Sequence, residues 1–292
     1  MSPYEIPDEA LAKISQNNRI CIERLRQHQG EQVDLSSYPS GRLAAVLVLL
    51  FERAGELRVL LTTRDKSLRA HPGQVALPGG KVDVTDADVF ETAYREAHEE
   101  VGLPRHHPHV YTVCTLRPYI SSAKLLVTPV VALLTDDAIL DHLTPAPGEV
   151  DRIFDHPLEA ILDPSLASKE RLAPKGSEDW IYEEDFYCFS DIDLPWLANS
   201  TYRMHRFRSS AFAIKGLTSD ILIATAEIAY NKATTYERYA HGQLQTFAPV
   251  LKILLGQVAV QHAVSGTSTP TPKVEVGGPV WPAASGCERS EA

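Results

Sequence analysis

A chain of 292 residues, 44% of them hydrophobic, is long enough to bury one sizeable core. Its formal net charge of −10 lacks the basic footprint that general nucleic-acid binding requires. The longest apolar run, Leu43 to Phe51, is far too short to span a bilayer, so neither nucleic acid nor a membrane is an expected partner.

In chain order, Asp8 to Gln29 places Leu11, Ile14, Ile20, Ile22 and Leu25 in a roughly helical pattern and reads as an amphipathic lead-in helix. Ser36 to Gly41 is a turn-rich joint. Leu43–Phe51 and Leu57–Thr63 read as two buried strands around the turn Arg53-Ala54-Gly55-Glu56. A loop carrying Arg64, Lys66, Arg69 and His71 follows, a cationic patch in an acidic chain, and guanidinium pairs well with phosphate. Leu77-Pro78-Gly79-Gly80-Lys81 then forms a turn whose adjacent glycines let the backbone pass close to a ligand. The next helix has Phe90, Ala93, Tyr94, Ala97, Val101 and Leu103 as its apolar stripe, with Gly102 suited to its C-terminus.

On that helix Glu96, Glu99 and Glu100 stand at i, i+3 and i+4 and share one face. On a solvated face such a cluster costs only ~0.2–0.5 kcal/mol per like-charged pair, so three acids alone do not define a metal site. The glycine turn immediately before them, with Asp83 and Asp86, supplies the missing context. Hard cations such as Mg²⁺ or Mn²⁺ take oxygen donors and share them with substrate phosphates.

Further strands are expected at Val110–Leu116 and Leu125–Leu134, with a short strand at Ile153–Asp155 and a short helix at Pro157–Leu162. Asp163 to Asp179 reads as a long polar loop. Trp180–Phe189 and Thr201–Phe207 are aromatic, β-prone stretches. The segment Tyr202 to Arg208 is a candidate for stacking a base or holding a phosphate, with alternation placing only half its side chains on one side. Gly216-Leu217-Thr218-Ser219 opens a helix to about Asn231, with Thr218 or Ser219 as the expected N-cap. Phe247–Val258 suggests a final helix, and from about Ser265 the composition predicts a disordered tail. The organisation is therefore a helical extension and joint at 1–42, a catalytic domain at 43–262 and a tail at 263–292. Arg105-His106-His107-Pro108-His109 reads as an exposed histidine-rich turn.

Gly80 to Leu103 resembles the signature of the Nudix hydrolases, a glycine turn followed by an Arg-Glu-hydrophobic-x-Glu-Glu-x-Gly-hydrophobic helix. Arg95, Glu96, Ala97, Glu99, Glu100, Gly102 and Leu103 fall on that pattern. The general motif has one residue fewer between glycine and arginine; the extra residue resembles the coenzyme A-type subfamily. Leu60, Leu61, Thr62, Arg64, Arg69, Gly73, Pro78, Gly79 and Gly80 keep the spacing of that subfamily's second motif, with Asp65 replacing a small residue and Leu77 an aromatic one.

The resemblance implies an α/β fold, a Nudix-type α/β/α sandwich around a mixed β-sheet. It also implies Glu96, Glu99 and Glu100 as ligands of Mg²⁺ or Mn²⁺, and Arg64, Arg69, Gly79 and Gly80 as substrate contacts. Glu99, Arg95 and Glu149 complete the catalytic set: Arg95 orients a glutamate, and the general base is either a signature glutamate or a residue from a later loop, where Glu149 in Gly148-Glu149-Val150 is the candidate beside its reading as an ordinary strand-entry residue. The implied reaction is hydrolysis of the diphosphate of coenzyme A or its derivatives to 3′,5′-ADP and 4′-phosphopantetheine products. Two alternatives stay open: a nucleotide-pool pyrophosphatase, and a catalytically silent Nudix scaffold that binds a nucleotide or protein. Four scattered cysteines without a Cys-x-x-Cys pair read as free thiols, and neither a secretory signal nor a Ser-Lys-Leu C-terminus is present. The expectation is an intracellular protein, with cytoplasm, peroxisome and mitochondrion left open, and no oligomeric state is assigned.

Overall fold

The computed structural model describes residues 6–31, 33–35 and 38–265, with side chains described up to residue 257. The expected tail at 263–292 lies almost wholly outside them. The lead-in splits in two, α1 (Asp8–Leu11) and α2 (Gln16–Gln27), because the chain turns at residues 12–15. Strands β1 (Leu43–Arg53) and β2 (Glu56–Arg64) form the expected hairpin, with Ala54 and Gly55 both at positive φ in its turn. Two short strands follow, β3 (Val75–Ala76) and β4 (Gly79–Lys81), then helix α3 (Val89–Val101).

Strands β5 (Val110–Thr115), β6 (Tyr119–Ile120), β7 (Leu126–Leu134) and β8 (Val150–Pro157) complete an eight-stranded mixed sheet. Its spine runs β3-β2-β1-β7-β5, and β1 and β7 are parallel from Leu43 opposite Leu126 to Phe51 opposite Leu134. The short strand expected at Ile153–Asp155 is longer, because every position from Arg58 to Thr63 of β2 finds a partner on β8. Where a short helix was expected at Pro157–Leu162, only a 3₁₀ turn at Glu159–Ile161 forms.

The other edge of β1 is shared. Its first half pairs with β4, Ala45 opposite Gly80 and Val46 opposite Gly79, and its last residues pair with β2. The sheet therefore parts beside the double glycine.

Alternation along β1 sends side chains to two cores. Ala45, Leu47, Leu49 and Phe51 pack with Ala93, Ala97 and Val101 of α3, while Val48 and Leu50 pack with Ile22 and Leu25 of α2 and with helix α4 (Leu217–Tyr230). Helices thus cover both faces of the mixed sheet, which is the expected α/β/α sandwich. A near-continuous apolar strand is what burial on both faces demands.

Beyond this core, β9 (Tyr187–Leu194), β10 (Ser200–Phe207) and β11 (Ile214–Lys215) form a separate three-stranded antiparallel sheet. The β-prone stretch begins only at Tyr187, because Trp180 is instead buried in a small cluster with Ala173, Cys188 and Ala213. Helix α5 (Phe247–Ser265) packs through Phe247, Val250 and Leu254 on Leu126, Leu194 and Leu197. Cys21 and Cys114 are free and buried, but Cys188 is disulfide-bonded, which corrects the reading of all four as free thiols. Among the described residues no helix is long and apolar enough to cross a membrane.

Candidate active site

Helix α3 is defined at both ends by its own residues. The Asp88 carboxylate accepts from the amides of Phe90 and Glu91, and Gly102 closes the helix at φ 73°, where Leu103 N–H donates to the Ala97 carbonyl. With the alanines against the sheet, the acidic face turns toward the β4 turn.

The two glycines of that turn serve different ends. A side chain on Gly79 would meet the Ala45 carbonyl oxygen at 2.4 Å and Val46 Cα at 2.6 Å, so glycine there lets β4 lie against β1. A side chain on Gly80 would meet the Glu96 carboxylate at 2.4–2.6 Å, so glycine there leaves room for an acid.

Arg95 holds the acids in place. Its guanidinium donates to both oxygens of Asp86 at 2.8 and 2.9 Å, to Glu96 Oε1 at 2.9 Å, to Glu99 Oε2 at 3.1 Å and to the Lys81 carbonyl at 3.0 Å. Asp86, 2% exposed, also accepts from Thr92 Oγ1 at 2.8 Å, and the arginine keeps its carboxyl well below the usual carboxylate range. Asp86, which counted from Gly80 stands where the general motif has its glutamate, thus anchors the Arg95 guanidinium against the acidic face.

The three glutamates are unequal. Glu100 is 9% exposed and its Oε2 accepts from Gly79 N–H at 3.2 Å. Burial pushes its pKa up to about 7, with Glu96 and Glu149 adding repulsion against the pull of Gly79 N–H and Arg64. Burial also raises Glu96, against the pull of Arg95. Glu99 is half-exposed and shared between Arg95 and Arg105, whose guanidinium lies 3.5 Å from Glu99 Oε1.

Among the described residues no three His, Cys, Asp or Glu side chains are gathered closely enough to hold a metal ion as they stand. Arg95 and Arg105 engage Glu99, while Gly79 N–H donates to Glu100. The donor chemistry nonetheless suits a hard divalent ion: carboxylate oxygens, a cradle over Gly80 that a Cβ would fill, and an excess of buried negative charge that a cation would relieve.

Glu149, from a loop far along the chain, reaches the same place. The Ala146 amide donates to the Glu100 carbonyl at 2.9 Å, the Thr144 amide to the Val101 carbonyl, and the Asp65 amide to the Glu149 carbonyl. These bonds pin the loop to the end of α3, and the exposed Glu149 acts electrostatically on both Glu96 and Glu100.

A cavity of about 520 Å³ opens beside this cluster. Arg64 belongs to both, lining the cavity and exerting its charge on Glu100. Thr201, Tyr202, Met204, His205 and Arg206 of β10 line it as well, so the lining does not follow strict alternation, whereas Arg203 pairs with Asp191 and Glu237 and Phe207 enters the core. Trp196, Leu197, Leu244, Phe247 and Val250 make its apolar end. Arg69 sits exposed on the basic loop and does not line the cavity, and Lys66 pairs with Glu178 at 2.9 Å.

Sequence reasoning missed Arg117, Lys215, Asp220 and Arg238, all of which line the cavity. The signal for Lys215 was a lone lysine inside the apolar run Ala211 to Leu217.

A mixed-sheet sandwich with an arginine-held acidic helix facing a double-glycine turn defines a Nudix-type hydrolase fold. The model of the NUDIX domain matches residues 41–175. Peroxisomal coenzyme A diphosphatase NUDT7 of Mus musculus is 33% identical over 76% of this chain and 84% of its own length. Nudix hydrolase 15, mitochondrial, of Arabidopsis thaliana is 38% identical over 66% of this chain, and the match spans 60% of the plant protein. Among solved structures, a C. elegans Ap4A hydrolase binary complex is 24% identical with a TM-score of 0.33, covering 41% of this chain and 83% of that one. The chain belongs to the Nudix hydrolase family.

Proposed function

We propose that the protein hydrolyses the diphosphate of coenzyme A or its derivatives, releasing 3′,5′-ADP and a 4′-phosphopantetheine product. The carrying observation is that the acidic face of α3 and the large cavity meet at Arg64. The diphosphate would lie at that junction, with Arg64 pairing with its oxygens, and Arg69 meeting it from the basic loop. The cavity would take the rest of the molecule: its apolar end fits a pantetheine or acyl arm, and its polar end fits a nucleotide. Similarity to a mouse coenzyme A diphosphatase and, at 32% identity, to a yeast peroxisomal coenzyme A diphosphatase supports the same substrate class.

Glu96 and Glu100, with Glu99 at the rim, would hold Mg²⁺ or Mn²⁺, which supplies charge neutralisation at the diphosphate and acidifies the attacking water. Arg95, anchored by Asp86, fixes the Glu96 carboxylate over Gly80. Glu149 is the proposed base that accepts the proton of the attacking water.

The test is a product-resolved substrate panel with Mg²⁺ and with Mn²⁺. Metal-dependent cleavage of coenzyme A substrates to 3′,5′-ADP is expected to exceed that of nucleoside triphosphates, NADH and dinucleoside polyphosphates. Faster nucleotide turnover without coenzyme A cleavage would transfer the assignment to a nucleotide-pool enzyme. No metal-dependent turnover of any diphosphate would leave a silent scaffold.

A further inference from the structure

A phenol hydroxyl withdrawn from water finds a partner at most places in this protein. Tyr38 donates to the Lys124 carbonyl at 2.9 Å, Tyr202 to Asp220 at 2.8 Å and Tyr236 to the Ile161 carbonyl at 2.6 Å. Tyr94 and Tyr187 bond to Thr112 Oγ1 and His205 Nδ1, each at 2.8 Å. Tyr119 does not follow them. It is 5% exposed, and its hydroxyl has no hydrogen-bond partner. Among the described residues Ser15 Oγ and Thr63 Oγ1 are buried and unpaired too, but of the three residues only Tyr119 lines the large cavity.

The ring is fixed in place. Strand β6 sets Tyr119 opposite Val127 of β7, and the Arg117 guanidinium lies 4.5 Å over its face. The groups whose charge or hydroxyl acts on the Tyr119 oxygen are Arg117, Arg238, Asp220 and Tyr239, and all four line the cavity, so the hydroxyl lies on the cavity side. Burial pushes its pKa up to about 12, which keeps it an O–H donor at neutral pH. Phenylalanine would fill the same space without an unpaired oxygen, so packing alone does not explain a tyrosine here.

An acceptor stands nearby. Asp220, in the first turn of α4, lines the same cavity and accepts from the Tyr202 hydroxyl through Oδ2. Its Oδ1 has no hydrogen-bond partner among the described residues. Donor and acceptor thus sit on two regular elements, β6 and α4, whose backbones hold them at fixed positions. A carboxylate or phosphate placed against both would set an anion beside Asp220, and a hydrocarbon would leave both polar groups without partners. A neutral group that carries an N–H next to an acceptor atom satisfies the two at once.

We propose that Tyr119 and Asp220 are specificity-determining residues that read an uncharged donor–acceptor edge of the substrate, Tyr119 O–H donating to its acceptor atom and Asp220 Oδ1 accepting from its N–H. The inference rests on the reading of the cavity as the place of the substrate beyond its diphosphate, and deepens it. In coenzyme A two groups offer such an edge: the secondary amides of the pantetheine arm, and N1 with the 6-amino group of adenine.

The experiment measures kcat/KM of the full-length protein, Tyr119→Phe and Asp220→Asn on three substrates with the same scissile diphosphate. They are coenzyme A, its hypoxanthine analogue, in which the base edge is reversed, and an analogue with methylenes in place of the arm amides. Wild type is expected to cleave one of the two analogues about tenfold or more less efficiently than coenzyme A, as a site built to hydrogen-bond a missing group does. Tyr119→Phe and Asp220→Asn are expected to bring that ratio toward one, and the analogue concerned tells base from arm. Tyr119→Phe is also expected to melt no lower than wild type, since its hydroxyl has no partner in the fold. Equal cleavage of all three substrates by wild type overturns the proposal and leaves diphosphate hydrolysis standing. A ratio unchanged in the folded variants, or a lowered melting temperature of Tyr119→Phe, overturns it as well. If no substrate is cleaved, the hydrolase reading fails and calorimetry decides, with 3′,5′-ADP, its hypoxanthine counterpart and pantetheine as probes. Binding of 3′,5′-ADP in preference to its counterpart, or of pantetheine, that is weakened about tenfold in Tyr119→Phe sustains the edge; equal or absent binding ends it.

Discussion

Single residues set the chemistry at the α3 face, and Gly80 is the sharpest case. The nearest atoms to a methyl group there belong to the Glu96 carboxylate, the far end of a flexible side chain, so Gly80→Ala is expected to fold. The carboxylate must then leave the place to which Arg95 directs it. We predict a melting temperature near that of wild type and a Mn²⁺ requirement raised by about 10–100-fold, the usual effect of disturbing a metal ligand's support. Metal titrations of turnover and of thermal shift would both register it, and an unchanged Mn²⁺ midpoint would remove Glu96 from the site. Asp86→Asn tests the same support from the other side. It keeps the volume but removes the charge that anchors Arg95, so kcat is expected to fall more than tenfold while KM moves little, since Arg95 does not reach the cavity. The acids, Arg95 and the double glycine were legible in the sequence because they are neighbours along the chain, where helical periodicity alone fixes which side chains share a face. The inequality among Glu96, Glu99 and Glu100 was not, because it depends on Arg105 and on Gly79 N–H arriving from other elements.

At the scale of elements, the seat of β4 on β1 holds the glycine turn, and there the neighbouring glycine has the opposite consequence. A methyl group on Gly79 meets backbone, the Ala45 carbonyl and Val46 Cα, neither of which can swing away. Gly79→Ala must therefore part β4 from β1, with a cost of about 2 kcal/mol or more on the scale of overpacked cores. Chemical denaturation should resolve that loss, and the contrast with Gly80→Ala is the informative comparison: one glycine serves the fold, the other the site. Elements with strong periodicity were read correctly because β1, β2, β7 and α3 each bury a full face of local sequence. The second sheet was read only as β-prone stretches. Its register, which sets Arg206 opposite Lys215, comes from pairing between segments separated by the Ser209 to Ala213 turn and owes nothing to local pattern. Similarly, the N-cap of α4 fell on Gly216 and not on Thr218 or Ser219, because Thr218 Oγ1 is drawn to the Val75 carbonyl and Ser219 Oγ to the Gly216 carbonyl.

At the scale of the whole molecule, the cavity exists only because β6, β9–β11, α4 and α5 close over the edge of the Nudix sheet, and its enclosure has a thermodynamic signature. Asp220 sits in its lining with Tyr202, and burial pushes its pKa up to about 7, from 3.8, against the opposing pull of Arg238 and Arg117. A raised carboxyl pKa means that the folded state binds more protons than the unfolded chain between pH 3.8 and about 7. Stability from this group is therefore full below pH 3.8 and is lost as pH rises toward 7. The histidines His156 and His205, both lowered to about 4 by burial, act in the opposite sense, being neutral in the fold and gaining stability as pH rises toward 6.5. The opposed terms flatten the profile of the wild type and hide each contribution. Asp220→Asn separates them, since an amide still accepts from the Tyr202 hydroxyl but cannot ionise. The difference in stability between the variant and wild type is expected to grow from pH 4 to pH 7, by at most about 1.4 kcal/mol per pH unit, and to level off above that. Parallel melting curves across that range measure it directly. A difference that stays constant with pH would mean that Asp220 is solvated like a surface carboxylate and that the cavity is not closed around it.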